Sequence, residues 1–444
     1  MRKPTVVLTT SVGGMIMNTG ELLAYLANGG LASRLAALYG ADKVAMQTAR
    51  YIEAVKEFAA LYGAEREVSL FSVPGRSEIS GNHTDHNRGC VIAAAVDLDI
   101  IAVASKREDD TVTVKSKGFP VDTVTCHPSA PDESRFYTSE ALISGVCAGF
   151  EKRGYRVCGY DAYTTSSVLK GSGISSSAAF EVMIGAILNH MVNDGAIPNA
   201  ILAEIAQFAE NVYFGKPSGL MDQTACAVGG FSFIDFEDSA AAKIEKLDFD
   251  LSEAGYSLCI TNTGGNHADL NEDYASVPAE MKAIAAAFDR PVLRGLTIDE
   301  VFAHAAALRE KYGDRALLRA FHFLGENERV QEQAACLRKG DLAGFLRRVC
   351  QSGQSSFMWL QNVYTTKNVR EQGLSLALAV TEHALRGTAR PAAWRLHGGG
   401  FAGTIQAFVP HEEIASYKAI METVFGEGTC VVLCVRREGA IRVF

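Results

Sequence analysis

The sequence predicts an α+β protein with roughly two domains, and three observations support that prediction. A chain of 444 residues is too long for one ordinary hydrophobic core. Runs rich in β-branched residues, typical of strands, occur at 91–105 and again from 392 onward. Between them, residues 279–350 follow a largely helical pattern. Separate blocks of strands and helices in one chain are typical of α+β folds.

The elements and domains follow from local patterns. Residues 1–45 are rich in small residues with weak periodicity, which predicts an N-terminal extension before an N-terminal domain at 46–250 and a C-terminal domain at 251–444. Apolar spacing and turn residues predict these elements in order: a helix at 46–62, a β run at 68–73 ended by a turn at Pro74-Gly75, strands at 91–105 and 111–114, a buried helix after 178, and a helix at about 200–214.

Composition and charge exclude several classes of protein. The chain carries 42 Lys and Arg against 51 Asp and Glu, a net charge of −9, whereas nucleic-acid binders usually have a basic surplus. No stretch of 18 uninterrupted apolar residues occurs, so no membrane span is predicted. Ten scattered cysteines indicate reduced thiols in a cytoplasmic protein rather than a disulfide scaffold. No protein partner is implied.

The most informative segment is rich in glycine and serine and leads directly into an apolar helix. Free backbone N–H groups and the positive end of the helix dipole favour phosphate at such a place, and serine hydroxyls add donors or a ligand for Mg²⁺. No lysine follows the glycines, so this is not a Walker loop. The alternative is a simple connector with a serine N-cap. The predicted phosphate-binding residues are Gly171, Ser172, Gly173, Ile174, Ser175, Ser176, Ser177 and Ala178.

A second polar segment, at 75–87, lies between two apolar strand-like runs. Asn82, His83 and Asp85 offer donors and acceptors that suit a polyhydroxylated ligand. His83 and His86 also raise the possibility of a metal site, although no third ligand of suitable spacing follows. A polar turn is the simpler alternative.

Two carboxylates and a glycine-rich segment complete the candidates. Glu210 lies near the end of a predicted helix, and Asp222 follows a tight turn, where a carboxylate in a cleft orients a hydroxyl or accepts its proton. The alternatives are a solvated helix position for Glu210 and a helix N-cap for Asp222. The segment 395–403, RLHGGGFAG, allows close approach of backbone to a ligand.

Four segments in this order resemble the galactokinase branch of the GHMP small-molecule kinase superfamily. They are GRSEISGNHTDHNRG, GSGISSSAAFEV, GLMDQ and RLHGGGFAG, and the likeness runs from about residue 45 to 444. The resemblance implies two domains with an active site in the cleft between them. It also implies transfer of the γ-phosphoryl group of ATP to the anomeric hydroxyl of galactose.

The resemblance also assigns roles to individual residues. Asp222 matches the catalytic aspartate and Arg76 its arginine partner, so the pKa of Asp222 is expected to be low. An ionised aspartate is a weak base, and we expect it to orient the hydroxyl and take the proton late. The matching magnesium ligands are Ser177 and Glu210. The matching sugar contacts are Asn82, His83, Asp85, Gly219 and Tyr274.

The chain departs from the family pattern in the sugar segment and near the C-terminal motif. Asn82 stands where galactokinases usually have Glu, and Glu78 where they have Asn; Ser218 and Ala402 replace Cys and Gly. A Ser-His pair common in the family has no clear match in QSGQSSF. These departures leave two alternatives open: a kinase for galactosamine, N-acetylgalactosamine or another hexose, and a sensor that binds sugar and ATP without turnover.

Overall fold

The predicted α+β class is confirmed by the computed structural model, which describes residues 16–168, 175–238, 242–265 and 270–444. The described strands are β1 (Met17–Asn18), β2 (Glu67–Ser80), β3 (Cys90–Lys106), β4 (Thr111–Ser116), β5 (Val121–Thr125), β6 (Tyr160–Ser166), β7 (Phe231–Asp235), β8 (Lys243–Leu247), β9 (Tyr256–Asn262), β10 (Ala393–His397), β11 (Thr404–Pro410), β12 (Cys430–Leu433) and β13 (Ile441–Arg442).

The described α-helices are α1 (Thr19–Ala27), α2 (Ala32–Tyr39), α3 (Val44–Tyr62), α4 (Ser139–Lys152), α5 (Ser176–Val192), α6 (Asn199–Phe208), α7 (Met221–Val228), α8 (Asn271–Ala286), α9 (Ile298–Ala303), α10 (Ala305–Tyr312), α11 (Asp314–Lys339), α12 (Leu342–Ser355), α13 (Gly373–Leu385) and α14 (Ile414–Phe425). The helix predicted at 46–62 corresponds to α3, and the buried helix predicted after 178 corresponds to α5. Four residues of the predicted phosphate loop, Gly171, Ser172, Gly173 and Ile174, lie outside the described residues.

The first sheet carries the segment that contains Arg76. Within the described part of the chain its order is β1-β2-β3-β6-β4-β5, while β13 also pairs with β2, and β7 pairs with β3 and β8. The β4–β6 pairing is parallel and the others are antiparallel. The register between β2 and β3 shifts at Pro74/Arg76 and again at Glu78/Ser80. Such irregularities re-aim side chains and are frequent beside active sites.

The turn predicted at Pro74-Gly75 is wrong, because β2 continues through both residues. Proline cannot donate to the ladder, and here it lies at the first register shift instead of reversing the chain. Between the two shifts Arg76 and Glu78 pair regularly with alanines of β3. Side chains two residues apart on a strand point to the same face, so the guanidinium and the carboxylate lie on one side of β2.

The second sheet, of order β10-β11-β9-β12, is antiparallel and touches the end of β2. Two of its fully buried side chains cross to that strand. Arg395 Nη1 donates to the carbonyl of Ile79 at 2.8 Å, and Gln406 Nε2 donates to the carbonyl of Glu78 at 2.9 Å. The end of β2 is therefore held between the two sheets.

The described part of the predicted N-terminal extension packs onto the first sheet. Leu22 and Leu35 are completely buried in an apolar cluster that also contains Val68, Leu70 and Phe444. Burial of leucine side chains of this kind contributes roughly 1.5–3 kcal/mol each. Residues 16–45 thus form part of the hydrophobic core on this face of the sheet.

A buried ionic cluster joins the extension, the first sheet and the C-terminal tail. Asp99 of β3 is completely buried and pairs with Arg50 at 2.5 Å and Arg436 at 3.3 Å. The hydroxyls of Tyr39 and Ser72 donate to the same carboxylate. Burial opposes ionisation of Asp99, but the two arginines outweigh it and hold its pKa below the ordinary value.

All ten cysteines lie among the described residues and are free thiols. None of the helices described here combines the length and the apolar character needed to cross a bilayer.

Candidate active site

Arg76 and Asp222 form a bidentate ion pair between β2 and α7. Arg76 Nε lies 2.6 Å from Asp222 Oδ1, and Nη2 lies 2.7 Å from Oδ2. Asp222 is the second residue of α7, so it is not a helix N-cap. Burial acts to raise the pKa of Asp222, but Arg76 and a hydrogen bond from Ser175 outweigh burial and hold the pKa below its usual value. The carboxylate is therefore ionised at neutral pH.

Ser175 connects the predicted phosphate loop to this ion pair. It has a left-handed backbone (φ 49°, ψ 76°), and its hydroxyl donates to Asp222 Oδ2. Helix α5 begins at the next residue, so Ser176, Ser177 and Ala178 form its first turn. The first N–H groups of a helix lack intrahelical partners and carry partial positive charge. A site that favours anions therefore lies beside the ion pair.

Glu210 lies in a π-helical turn (Ala209–Tyr213) that follows α6, and it is 2% exposed. Gln223 Nε2 donates to Glu210 Oε2 at 2.7 Å and to Glu181 Oε2 at 3.2 Å. Lys216 Nζ lies 2.8 Å from Glu210 Oε1. The alternative of a solvated helix position for Glu210 is therefore wrong, because its carboxylate is buried next to a second one.

The oxygen atoms around Gln223 fit a divalent cation. Glu181 lies four residues after Ser177 on α5, so the two side chains share one face of the helix. Glu181 Oε1 is buried and has no hydrogen-bond partner among the described residues. Burial, with Glu210 close by, raises the pKa of Glu181 to about 9. Carboxylate and hydroxyl oxygens are the donors that Mg²⁺ prefers, so Ser177 and Glu210 stay the predicted ligands.

A small cavity of about 130 Å³ opens beside the catalytic candidates, next to the residue that precedes Asp222. It brings together three of the predicted sugar contacts. The lining residues are Glu78, Gly81, Asn82, His83, Asp85, His86, Val91, Met221 and Gly399.

His83 faces this cavity from a left-handed backbone (φ 57°). Its Nε2 lies 2.8 Å from the carbonyl of Gly399, which only accepts, so Nε2 carries the proton. Nδ1 is then an acceptor, and it is buried with no partner in the described part of the chain. Burial lowers the pKa of His83 to about 4, which keeps the ring neutral at pH 7. The predicted contact Tyr274, on α8, packs against the same glycine segment, with its hydroxyl 2.8 Å from the carbonyl of Gly400.

Gly219 lies against Asp85 where two cavities adjoin. A Cβ atom on Gly219 would lie 3.3 Å from Asp85 Oδ2, so glycine leaves room around that carboxylate. Both residues line a larger neighbouring cavity of about 610 Å³. The metal alternative for His83 and His86 gains no support. In the described ranges, the group of three His, Cys, Asp or Glu side chains close enough together to share a metal ion is instead Asp110, Cys126 and His127.

Sequence reasoning missed a buried histidine–serine pair. His322 of α11 places Nδ1 2.8 Å from the hydroxyl of Ser355, and its Nε2 donates to the backbone carbonyl of Asn82 at 3.0 Å. Ser355 belongs to the segment QSGQSSF, but the histidine comes from the preceding long helix. No local motif could identify this pair, because it forms only when α11 and α12 pack together.

His397, in the predicted glycine segment, joins β10 to β2. Its Nε2 lies 3.1 Å from the hydroxyl of Ser77, and its Nδ1 lies 2.8 Å from that of Thr404. Burial lowers the pKa of His397 to about 3, and the positive charges of Arg76 and Arg395 act in the same direction. The imidazole is therefore neutral in the folded protein.

We expect His397 to make the protein less stable in acid. An unfolded histidine has a pKa of about 6.5, so His397 takes up a proton on unfolding, and stability falls as the pH drops from 6.5 toward 3. When the pH is lowered from 7.5 to 5, the uptake of a proton by unfolded His397 lowers the free energy of unfolding by about 2 kcal/mol. Urea unfolding of the wild type and of His397→Gln at both pH values should show a smaller acid-induced loss in the variant. Equal losses would contradict the prediction.

Comparison with known protein families identifies relatives of this chain. Residues 56–106 match the family model described as the galactokinase galactose-binding signature, and residues 141–230 match the GHMP kinases N terminal domain. Over 376 residues the chain is 32% identical to a galactokinase of Streptomyces coelicolor, covering 83% of this chain and 90% of the relative. Over 365 residues it is 31% identical to human galactokinase, covering 79% and 86% of the two chains.

Solved structures show the same fold. A Lactococcus lactis galactokinase complexed with galactose matches with a TM-score of 0.70 and 24% identity, covering 87% of this chain and 98% of the other. A mevalonate kinase matches with a TM-score of 0.58 and 12% identity, covering 83% and 99%. At these identities the structural matches establish the GHMP kinase fold.

Proposed function

The chain belongs to the galactokinase family, and from that membership we propose that it transfers the γ-phosphoryl group of ATP to the anomeric hydroxyl of galactose, giving galactose 1-phosphate and ADP. The observation that carries the proposal is the Arg76–Asp222 ion pair beside both the first turn of α5 and the polar cavity. An anion site and a hydroxyl-binding site then adjoin one carboxylate, as in-line phosphoryl transfer requires.

Asp222 receives the sugar hydroxyl in this proposal. Its carboxylate accepts a hydrogen bond from the anomeric O–H and fixes the direction of the attacking oxygen. Because its pKa is lowered, the carboxylate is a weak base and takes the proton late, as the bond from oxygen to phosphorus forms. The bidentate contact with Arg76 fixes the orientation of the carboxylate.

The phosphates lie at the first turn of α5, where Ser176, Ser177 and the helix N–H groups offer donors. Ser177 and Glu210 would hold Mg²⁺. The bound ion would neutralise charge on the β- and γ-phosphates, which ATP-dependent kinases require. Glu181, with its unpartnered oxygen, lies next to this place and is available for a water ligand of the ion.

The sugar occupies the small cavity. The lone pair of His83 Nδ1 and the carboxylate of Asp85 accept hydrogen bonds from sugar hydroxyls. Gly219 leaves room beside Asp85, and Tyr274 fixes the glycine segment that forms the opposite wall. The ten free thiols support a location in the cytoplasm.

The proposal predicts ATP-dependent turnover of galactose. ADP release, measured in a coupled assay with a panel of hexoses, should be fastest with galactose, and ³¹P NMR should identify a sugar 1-phosphate as the product. The assay should depend on added Mg²⁺. Turnover of galactosamine or N-acetylgalactosamine without turnover of galactose would contradict the substrate, and ligand-induced stabilisation without any ADP release would contradict the kinase activity.

A further inference from the structure

Glu78 places a carboxylate in the wall of the small cavity. The residue lies on β2 between the two register shifts, on the same face as Arg76. Its side chain is 10% exposed. Oε1 accepts from Asn82 Nδ2 and from Arg395 Nη2, both at 3.2 Å. Oε2 has no hydrogen-bond partner within the described ranges, so one carboxylate oxygen remains available to a ligand.

Asn82, which also lines the cavity, has no hydrogen-bonding group left for a ligand. Its Nδ2 donates to the carbonyl of Gly398 at 2.7 Å as well as to Glu78. Its Oδ1 accepts from Asn362 Nδ2 at 2.7 Å and from the hydroxyl of Ser356 at 3.4 Å. A side-chain amide has two N–H donors and two lone pairs on oxygen, and all four are used here. The residue is also 1% exposed.

The surrounding charges suit Glu78 as an acceptor. Arg395, completely buried, donates to one carboxylate oxygen, and Arg76 lies close enough to act electrostatically. These cations offset part of the cost of burying the carboxylate, but burial outweighs them and holds the pKa of Glu78 above its ordinary value. Hydrogen bonds to ionised groups contribute more to binding than those between neutral groups.

We propose that Glu78, through Oε2, accepts a hydrogen bond from a sugar hydroxyl and is a specificity-determining residue of the active site. Asn82 has a structural role: its amide bonds to Glu78 Oε1 and joins the cavity wall to the glycine segment at 398–400. This inference rests on the proposed function, because it assumes that the cavity receives the sugar.

The experiment measures binding of galactose and of each monodeoxygalactose by calorimetry in the absence of ATP. The wild type should bind one of the deoxy sugars about tenfold or more weakly than galactose, because that sugar leaves Glu78 without its donor. In Glu78→Gln the affinity for galactose should fall about tenfold, and discrimination against that deoxy sugar should largely disappear. Asn82→Ala should lose thermal stability but keep the discrimination.

A second variant keeps the test decisive if Glu78→Gln does not fold. Glu78→Asp keeps the negative charge beside Arg395 but withdraws the oxygen from the cavity, and it should lose the same discrimination. Unchanged discrimination in a folded Glu78 variant, or its loss in Asn82→Ala alone, would overturn the inference. Absence of sugar binding by the wild type would overturn it as well. Retained sugar binding without phosphoryl transfer would contradict only the proposed function.

Discussion

Replacement of Asp222 by Asn is expected to lower kcat for galactose phosphorylation by about 10³-fold. The amide has nearly the same shape as the carboxylate and still accepts the hydrogen bond from Ser175. It lacks the negative charge that orients the hydroxyl and accepts its proton, and one of its two ends presents N–H groups to Arg76. Steady-state kinetics should show this loss with the KM for ATP changed less than about threefold, since the phosphate site is intact.

Asp235→Asn is a matched control for this variant. Asp235 pairs with Arg294 at 3.1 Å, and both side chains are 16% exposed, so the same chemical change occurs in a partly buried ion pair outside the proposed site. Its kcat should stay within about twofold of the wild type, because the affected pair does not touch either substrate site. A similar loss in both variants, or a loss below tenfold in Asp222→Asn, would show that Asp222 does not have the catalytic role proposed here.

Replacement of Asp99 by Asn is expected to lower the free energy of unfolding by about 3 kcal/mol. The change preserves the shape of the side chain but leaves Arg50 and Arg436 with uncompensated charge. Arg436 is completely buried, so water cannot solvate its guanidinium. Chemical denaturation at pH 7.5 measures the loss directly. The kcat of the folded variant should change little, because the cluster lies outside the sugar and phosphate sites.

Asp161→Asn provides the comparison. Asp161 is as buried as Asp99 and also pairs with two arginines, Arg66 at 3.0 Å and Arg107 at 2.9 Å. Those arginines are 32% and 30% exposed, so water solvates them when the carboxylate charge is removed. We expect a loss below about 1 kcal/mol. Equal losses in the two variants would contradict the view that burial of the arginine partners determines how much unfolding free energy is lost.

Local signals in the sequence were sufficient for the fold class, the main helices and the chemical segments. The spacing of apolar residues at 46–62 predicted α3, because one face of that helix is buried. The serine-rich start of α5 and the acidic residue of α7 were identified because each lies in a distinctive short segment. The structure places Arg76 and Asp222, which are 146 residues apart, in direct contact.

The features that the sequence did not predict depend on packing between residues that lie far apart in the chain. Glu78 and Asn82 were noted as two independent departures, and only the geometry shows that they bond to each other and that one of them retains a free oxygen. The interpretation of Pro74-Gly75 failed because those residues serve both turns and strand irregularities. Weak periodicity at 1–45 gave no indication that leucines there are buried, since two short helices contribute only a few core residues each.

The pairing of β13 with β2 bears on how the protein matures in the cell. The strand that carries Arg76 acquires this neighbour only after residues 441–442 have been made. Closing so long a loop is entropically costly and slow, and the emerging N-terminal portion has an unpaired strand edge in the meantime. Catalytic competence should therefore appear only once residues 441–442 have emerged from the ribosome, and chaperones that shield exposed strands should raise the yield of active protein.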